Sequence, residues 1–287
     1  MQNVKIVKLN IKKGEKLTLT NDGELSLFWL GVGSAFSKKL FQTNLLIVKG
    51  KDHLLIDCAS RFSTALFEYG LPLADIRNIL ITHSHADHIG GLEEVALVNR
   101  YMVKKKPTMV ITEEYEELLW DYSLRGGCAF NERHNNKYLK FSDFFNVIRP
   151  EKIKENFYDI YNAKVGKINI KMFNTMHIPD SSVNWKDSFI SYGIIIDERI
   201  LFTSDTKYDP DLIKYLLNEF KGIEVIFHDC QLFKGGVHAS YEELLEFPES
   251  IRQKMFLTHY QDSFNSIDPK KDKFVGFTNQ ASFYIFK

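Results

Sequence analysis

The 287-residue sequence has few cysteines, no excess of either charge and no long apolar run, and each lack removes a class of protein. Three cysteines, Cys58, Cys128 and Cys230, are odd in number, widely spaced and form no Cys-x-x-Cys pair. That excludes a disulfide framework and implies reduced thiols serving as small buried hydrophobes. Lys and Arg together number 37, as do Asp and Glu, so no global field recruits nucleic acid or a membrane. Any anionic substrate must be attracted by a local site. No stretch approaches the length of a membrane span, and the first twenty residues alternate apolar and basic side chains without the apolar core of a secretion signal. A cytoplasmic protein is expected. No repeat or Pro/Gly/Ser-rich linker interrupts the chain, so one domain over residues 1–287 is the default.

What is present suits a packed core: 44% of residues are hydrophobic and 14% aromatic. Alternating stretches predict strands at Val4 to Leu9 and Lys16 to Thr20, a hairpin at Asn21-Asp22-Gly23, and a strand from Glu24 to Leu30. Strands follow at Thr43 to Val48, His53 to Asp57 and Ile76 to Thr82. Helical periodicity runs from about Ile89 to Val103 and from Glu113 to Arg125, where Gly126-Gly127 should break it. The second half returns to strands at Ile168 to Phe173, Phe189 to Asp197, Ile200 to Thr203, Glu224 to His228 and Met255 to Thr258. Between them a helix should start at Pro210 behind an Asp209 cap, and Ser240-Tyr241-Glu242-Glu243 is a capping box. Two β-rich halves, each with helices, point to two sheets packed face to face with helices outside.

The strongest chemical signal is His83-Ser84-His85-Ala86-Asp87-His88, followed by Gly90-Gly91. Four potential ligands crowd into six residues where a strand gives way to a helix. Imidazoles and a carboxylate at that density can surround two borderline metal ions, whereas a solvated loop has no use for them.

Residues 28 to 92 resemble the opening of the metallo-β-lactamase superfamily, in its ribonuclease Z-like and cyclic phosphodiesterase branch. The likeness rests on Leu30-Gly31-Val32-Gly33-Ser34-Ala35, on Leu54-Leu55-Ile56-Asp57-Cys58 and on the histidine motif, and it resumes over residues 177 to 260. The resemblance implies a four-layer αββα sandwich holding two divalent ions: zinc, with manganese or iron as alternatives. His83, His85 and His177 would bind one ion, Asp87, His88 and His259 the other, and Asp205 would bridge them. Asp57 would shape the site through hydrogen bonds to the ligands. His228-Asp229 resembles a His-Glu pair of ribonuclease Z, one carbon shorter, and Gly236-Val237-His238-Ala239-Ser240 resembles its Gly-His-Ser-Thr segment. In the family these supply a histidine at the scissile phosphate, oriented by the acid. Catalytic roles therefore fall on Asp87, which would orient the attacking hydroxide or take its proton, on His238 as proton donor to the leaving oxygen, and on Asp229 behind it. For His228 a site role and a structural one stay open. His53 and His134 have no such context.

Charge agrees with a phosphodiester. Two divalent ions bring about four positive charges, and Asp87, Asp205 and a hydroxide return about three, so an anion is drawn to a locally cationic site. The bridging carboxylate argues against a true β-lactamase, where a cysteine usually stands. Thioesterases of the glyoxalase kind and lactonases share all seven ligands. The thioesterases add a helical domain after the last one, for which residues 260–287 are too few. A catalytically dead binding module has no reason to keep the ligands. Ribonuclease Z-like RNA processing is the nearer alternative, but the interval from His177 to Asp205 holds no long RNA-gripping arm. A small phosphodiester, most plausibly a cyclic nucleotide, is the expected substrate, without large nucleic acid or membrane partners; a homodimer is implied by analogy. The extra length lies at about 113–163. There Phe130, Tyr138, Phe141, Phe144 and Phe145 could form a lid that stacks on a base or, equally, a satellite core.

Overall fold

The computed structural model describes residues 4–155 and 158–287. The first half supplies strands β1 (Val4–Lys8), β2 (Leu25–Gly31), β3 (Asn44–Lys49), β4 (Asp52–Ile56), β5 (Asn78–Leu80) and β6 (Thr108–Val110), then the small pair β7 (Arg133–His134) and β8 (Lys137–Tyr138), then β9 (Asn146–Ile148). The second supplies β10 (Glu151–Glu155), β11 (Asp159–Val165), β12 (Ile168–Asn174), β13 (Tyr192–Ile196), β14 (Ile200–Phe202), β15 (Val225–Asp229), β16 (Met255–Thr258) and β17 (Gly276–Phe277), and β18 (Ser282–Phe286) returns to the first sheet. Among the described residues these make two eight-stranded sheets, ordered β1-β18-β2-β3-β4-β5-β6-β9 and β10 through β17 in sequence. Each sheet begins antiparallel and ends parallel: β4, β5, β6 and β9 run together in one, β14 through β17 in the other.

Period-two alternation builds the layers. Tyr192, Ile194, Ile196, Ile200, Phe202, Val225, Phe227 and Phe256 face the first sheet and share one core with it, where Trp29 packs on Phe202 and Phe227 and Tyr284 on Phe256. The intervening residues Ile195, Leu201, Ile226, Met255 and Leu257 face the other way, into a second core. The α-helices among the described residues are α1 (Phe62–Glu68), α2 (Ala86–Ile89), α3 (Leu92–Leu97), α4 (Glu113–Leu119), α5 (Arg125–Cys128), α6 (Pro210–Glu219), α7 (Tyr241–Leu244) and α8 (Glu249–Arg252). Leu212, Ile213 and Leu216 of α6 and Leu244 of α7 close the second core, while α1, α3 and α4 bury Leu66, Val95 and Leu119 in the first. The result is the four-layer αββα sandwich expected. Asp209 caps α6 by accepting from Leu212 N–H at 2.9 Å, and the Ser240–Glu243 capping box forms. All three cysteines are free and buried. No helix among the described residues is long and apolar enough to cross a membrane.

Several local expectations fail for identifiable reasons. Residues 16–20 form no strand, and Asn21-Asp22-Gly23 is no hairpin, because β1 pairs with the distant β18. Asn21 instead braces the β3–β4 turn, accepting from Gly50 N–H at 2.6 Å and donating to the Glu24 carbonyl at 2.8 Å. The helix predicted over Ile89 to Val103 divides at Gly90-Gly91 and widens to a π-helical turn over Val98–Val103. Gly126-Gly127 lies inside α5 rather than ending it; a Cβ on Gly127 would sit 2.0 Å from the Glu93 carboxylate of α3, so glycine there permits a helix contact.

Residues 113–163 divide between the body of the fold and its surface. Strands β9, β10 and β11 complete the two sheets, and Phe141, Phe144 and Phe145 are buried in the main core, where no ligand base can reach them. Phe130 and Tyr138 remain exposed.

His53, on β4, is buried and accepts the Arg77 backbone N–H on Nε2 at 2.9 Å. Burial first, and the Arg77 charge second, push its pKa below the ordinary 6.5. The neutral ring therefore stabilises the fold fully above pH 6.5, and that contribution is lost as pH falls through the depressed folded value, because the unfolded chain takes up a proton the native ring refuses. His53→Ala should cost about 1–3 kcal/mol at pH 7.5. The gap from the parent should narrow between pH 6.5 and 5, which denaturant melts at both pH values will test; a gap constant with pH would mean that His53 keeps an ordinary pKa.

Candidate metal centre

The carboxyl ends of the parallel strands of both sheets meet at one cleft, where open α/β sheets bind ligands. The residue after β4 is Asp57; three residues beyond β5 stands His83; beyond β14 comes Asp205; β15 ends at Asp229; and the residue after β16 is His259. Three of the residues turning the chain there are not glycine yet sit in the left-handed region: Asp57 (φ 67°), Ser204 (φ 51°) and His259 (φ 59°). Such strain persists only where the surroundings over-determine it, as at sites that must aim a side chain.

Gly91 permits the first cluster. A Cβ there would lie 2.7 Å from the Ala59 carbonyl, so only glycine lets the start of α3 press against the loop that carries Asp57. That loop is locked to the motif by Gly91 N–H to Cys58 O at 2.8 Å and Cys58 N–H to His88 O at 2.7 Å.

Donor atoms converge in two overlapping sets: His83, His85, His177 and Asp205, and Asp87, His88, Asp205 and His259, each with its ligand atoms within 4.8 Å of one another. All seven residues singled out in the sequence are thus brought together, and Asp205 belongs to both sets. His83 Nε2 lies 3.0 Å from His85 Nδ1, and His177 Nε2 lies 3.2 Å from the same atom. On the other side His88 Nε2 lies 3.2 Å from Asp205 Oδ2 and 3.3 Å from Asp87 Oδ2.

Four of the five histidines have their second nitrogen occupied, as metal ligands need for a fixed tautomer and ring angle. His88 Nδ1 donates to Asp57 Oδ2 at 2.7 Å, and Asp57 in turn accepts from Thr82 N–H at 2.8 Å. His83 Nδ1 meets Thr82 Oγ1 at 3.1 Å, His259 Nδ1 meets Thr43 Oγ1 at 3.1 Å, and His177 Nδ1 donates to the Val237 carbonyl at 3.0 Å. Asp57 plays the part expected of it. Thr82, Thr43 and the Val237 carbonyl were not anticipated: two hydroxyls and a backbone oxygen carry no sequence signal for this role.

The electrostatics call for cations. Burial pushes His83 and His85 down and holds His177 at about 4, so these rings are neutral and able to ligate. Burial also pushes His88 down, but Asp205, Asp87 and Asp57 outweigh it and pull the ring well up. Protein groups alone thus leave unbalanced negative charge at that point. Asp205 Oδ1 and His259 Nε2, both buried, have no hydrogen-bond partner. Three imidazoles held neutral, a shared carboxylate and two buried atoms without hydrogen-bond partners fit a pair of divalent ions.

His238 completes the rim. Its Nδ1 donates to Asp229 Oδ2 at 2.7 Å, and the same oxygen accepts Thr206 N–H at 2.9 Å. Asp229, His238, Asp205 and His259 form a third group within cation-holding distance, in which the short His238–Asp229 bond engages Asp229 Oδ2 and leaves the buried Oδ1 without a hydrogen-bond partner. Burial opposes protonation of His238; Asp229, Asp205 and Asp87 overcome it and raise the pKa to about 9. His228, left open on sequence, points elsewhere. Alternation along β15 sends it to the helical face beside Phe247 with Nδ1 on the Asp229 carbonyl at 2.7 Å, while Asp229 faces the cleft. His134 is exposed on β7.

A cavity of about 410 Å³ opens on this centre, with His238 and His259 in its wall. A larger recess of about 730 Å³, lined by Tyr158, Met176, Trp185, Lys186, Asp209 and Asp211, contains none of the histidine donors.

Known proteins agree with this geometry. Among solved structures, unliganded yeast PDE1 superposes with a TM-score of 0.63 at 11% identity, covering 92% of this chain and 100% of that one. The metallo-β-lactamase fold protein YhfI from Bacillus subtilis gives 0.62 at 14% identity, with 91% and 99% covered, and the short form of human tRNase Z gives 0.58 at 16%, with 90% and 98% covered. The fold is therefore that of the metallo-β-lactamases. Proteins described as Anti-Pycsar protein Apyc1 are similar in sequence: that of Bacillus phage vB_BsuM-Goe3 is 36% identical over 264 residues, 90% of this chain and 94% of the relative. That of Paenibacillus harenae is 36% identical over 237 residues, 82% and 90%. The family model for Anti-Pycsar protein Apyc1 matches residues 25–284, and the chain belongs to that family.

Proposed function

We propose that this chain is a dinuclear metal-dependent phosphodiesterase whose substrate is a small cyclic nucleotide. The chain is a hydrolase acting on phosphodiesters; the two ions, the residue roles and the substrate are the finer reading. One observation carries it: two donor sets share Asp205, with Asp205 Oδ1 and His259 Nε2 otherwise unpartnered. His83, His85 and His177 would hold one ion, Asp87, His88 and His259 the other, with Asp205 common to both. Zinc suits this mixture of imidazole and carboxylate, and manganese or iron share enough of the preference to be tested beside it. Such ions, when bound, supply Lewis-acid neutralisation of the phosphate and a nucleophilic water at neutral pH.

The protein's own groups do the rest. Asp87, held at about 2 against burial by His88 and His259, stays ionised and can orient the attacking hydroxide or accept its proton. The Asp229 bond on Nδ1 fixes the His238 ring, so Nε2 is the atom left to protonate a leaving oxygen. A small substrate is favoured over RNA because the short interval from His177 to Asp205, which contains β13 and β14, holds no long arm, and because the formal net charge is zero. A cytoplasmic site of action belongs to the same proposal, given three free buried cysteines.

Elemental analysis of freshly purified protein should find close to two divalent ions per chain, and His85→Ala or Asp205→Asn should lose metal together with activity. Metal-free active protein would sink the proposal.

Loaded with zinc or manganese, the enzyme should open 3′,5′-cyclic nucleotides, purine and pyrimidine alike, leave thioesters and lactones untouched, and fail to trim precursor tRNA at physiological salt. Preference for a thioester would transfer the chain to the glyoxalase-like alternative.

His238→Ala should keep both ions yet slow poor alkoxide leaving groups about 10²–10⁴-fold, sparing a nitrophenolate. Asp229→Asn should move the alkaline limb of the rate profile to lower pH, because the carboxylate that raises the His238 pKa is gone. Equal losses on both leaving groups would assign His238 to another role.

A further inference from the structure

The cavity beside His238 and His259 carries two aromatic side chains that the chemistry above does not use. Phe36 is 87% exposed and Phe233 56% exposed, although both line that cavity. Neither belongs to either hydrophobic core. Other exposed aromatics, such as Phe67 and Tyr122, line no such cavity, whereas Phe36 and Phe233 place two apolar faces beside one cleft, where a flat ligand can cover them.

Both sit on loops held from a common anchor, the segment following His259. Asp262 binds the loop carrying Phe36: its carboxylate accepts from the Ser37 hydroxyl, from Lys38 N–H at 2.8 Å and from Lys39 N–H at 3.2 Å. Gln261 Oε1 accepts Leu232 N–H at 2.7 Å, fixing the loop that carries Phe233. Gln231 tightens that loop from inside, donating to the carbonyls of Phe233 and Gly235. The two rings are thereby referenced to a metal-type histidine through one short stretch of chain. A wandering surface loop would have no such ties.

Resting on the phosphodiesterase reading, we infer that Phe36 and Phe233 form the base-binding wall of the site, stacking on the nucleobase while its phosphate lies at the histidine centre. Pockets that enclose small ligands run from about 300 Å³ upward, so a cavity of about 410 Å³ suits one nucleotide and no oligonucleotide. Stacking uses the face that every base possesses, so this wall tolerates purines and pyrimidines alike. Phe141, Phe144 and Phe145 of the aromatic segment 128–163 are buried and cannot serve this purpose, and Phe130 and Tyr138 do not line this cavity.

Phe36→Ala, Phe233→Ala and the double variant test this, with Phe36→Trp as the conservative control. Each Ala variant should raise KM for a cyclic nucleotide about 5- to 150-fold with kcat little changed, as expected for a lost base–aromatic stack. Turnover of the base-free 1,2-dideoxyribose 3′,5′-cyclic phosphate should be unaffected, and Phe36→Trp should bind as well as the parent. Saturation-transfer NMR of a nucleoside monophosphate gives a readout independent of turnover: base protons should receive saturation in the parent and lose it in the double variant. If the parent binds the base this way but hydrolyses no cyclic nucleotide, the wall stands and the phosphodiesterase reading fails. If cyclic nucleotides are hydrolysed with unchanged KM in the double variant, the wall is wrong and that reading survives. Equal loss on the base-free substrate, or a change of oligomeric state on sedimentation, would also overturn it, by making the phenylalanines loop supports or a contact between copies.

Discussion

Asp205 is a carboxylate buried among imidazoles from both sheets, and the rest of the molecule is arranged around the need to keep it there. Its pKa lies well below the ordinary carboxylate value: burial acts to raise it, but the attraction of the surrounding His259, His88 and His238 prevails. A buried polar atom without a partner costs about 1–3 kcal/mol, and Asp205 Oδ1 and His259 Nε2 are both in that condition. A fold gains nothing by concentrating such atoms unless a cation collects them. The arrangement is therefore costly as a core and useful as a receptacle, and that asymmetry is why the αββα sandwich is closed so firmly elsewhere.

The closure comes from matching the two sheets by alternation. Each strand of β12 to β16 gives one row of side chains to the inter-sheet core and the other to the helices. Because the rows are fixed by period two, the residue at each carboxyl end inherits its direction: Asp229 toward the cleft, His228 toward Phe247. The two sheets then share one polar network at the cleft. Ser204 of the second donates to the Thr82 hydroxyl of the first at 3.0 Å, and Thr82 binds the Asp57 carboxylate that orients His88. The donors of the His88 set are thus steadied by the strand ends that deliver Asp205.

Much of this was legible before any coordinates, and the reason is density. His83, His85, Asp87 and His88 stand close enough in sequence to declare a metal site, and His177, Asp205 and His259 each follow a readable strand. The layers followed from apolar alternation. What stayed hidden depends on partners far apart in the chain. Thr43 supports His259 across 216 positions, and Asn21 reads as a turn residue until Gly50 arrives to use its side chain. The choice between His228 and Asp229 needed the face of β15, which one residue of register decides. The aromatic stretch from 128 to 163 left a lid and a satellite core open, because composition alone does not tell ligand contacts from packing; three of its phenylalanines pack in the core beside Trp120.

The loop from Gln231 to Ala239 shows how tightly support and chemistry are joined. Its Val237 carbonyl fixes His177, the next residue is the proton-donor candidate, and Phe233 looks into the same cavity. Gly235 and Gly236 both take positive φ, 79° and 97°, which lets the chain double back within so short a span. Gln231 N–H to Ala239 O at 2.8 Å and Ala239 N–H to Thr206 O at 2.8 Å then fasten the loop base to the strand end that bears Asp205. A shift of this loop cannot move His238 alone. It would turn the His177 ring and disturb the His83, His85, His177 and Asp205 donor set at the same time, so the placement of His238 and of that donor set is adjusted together.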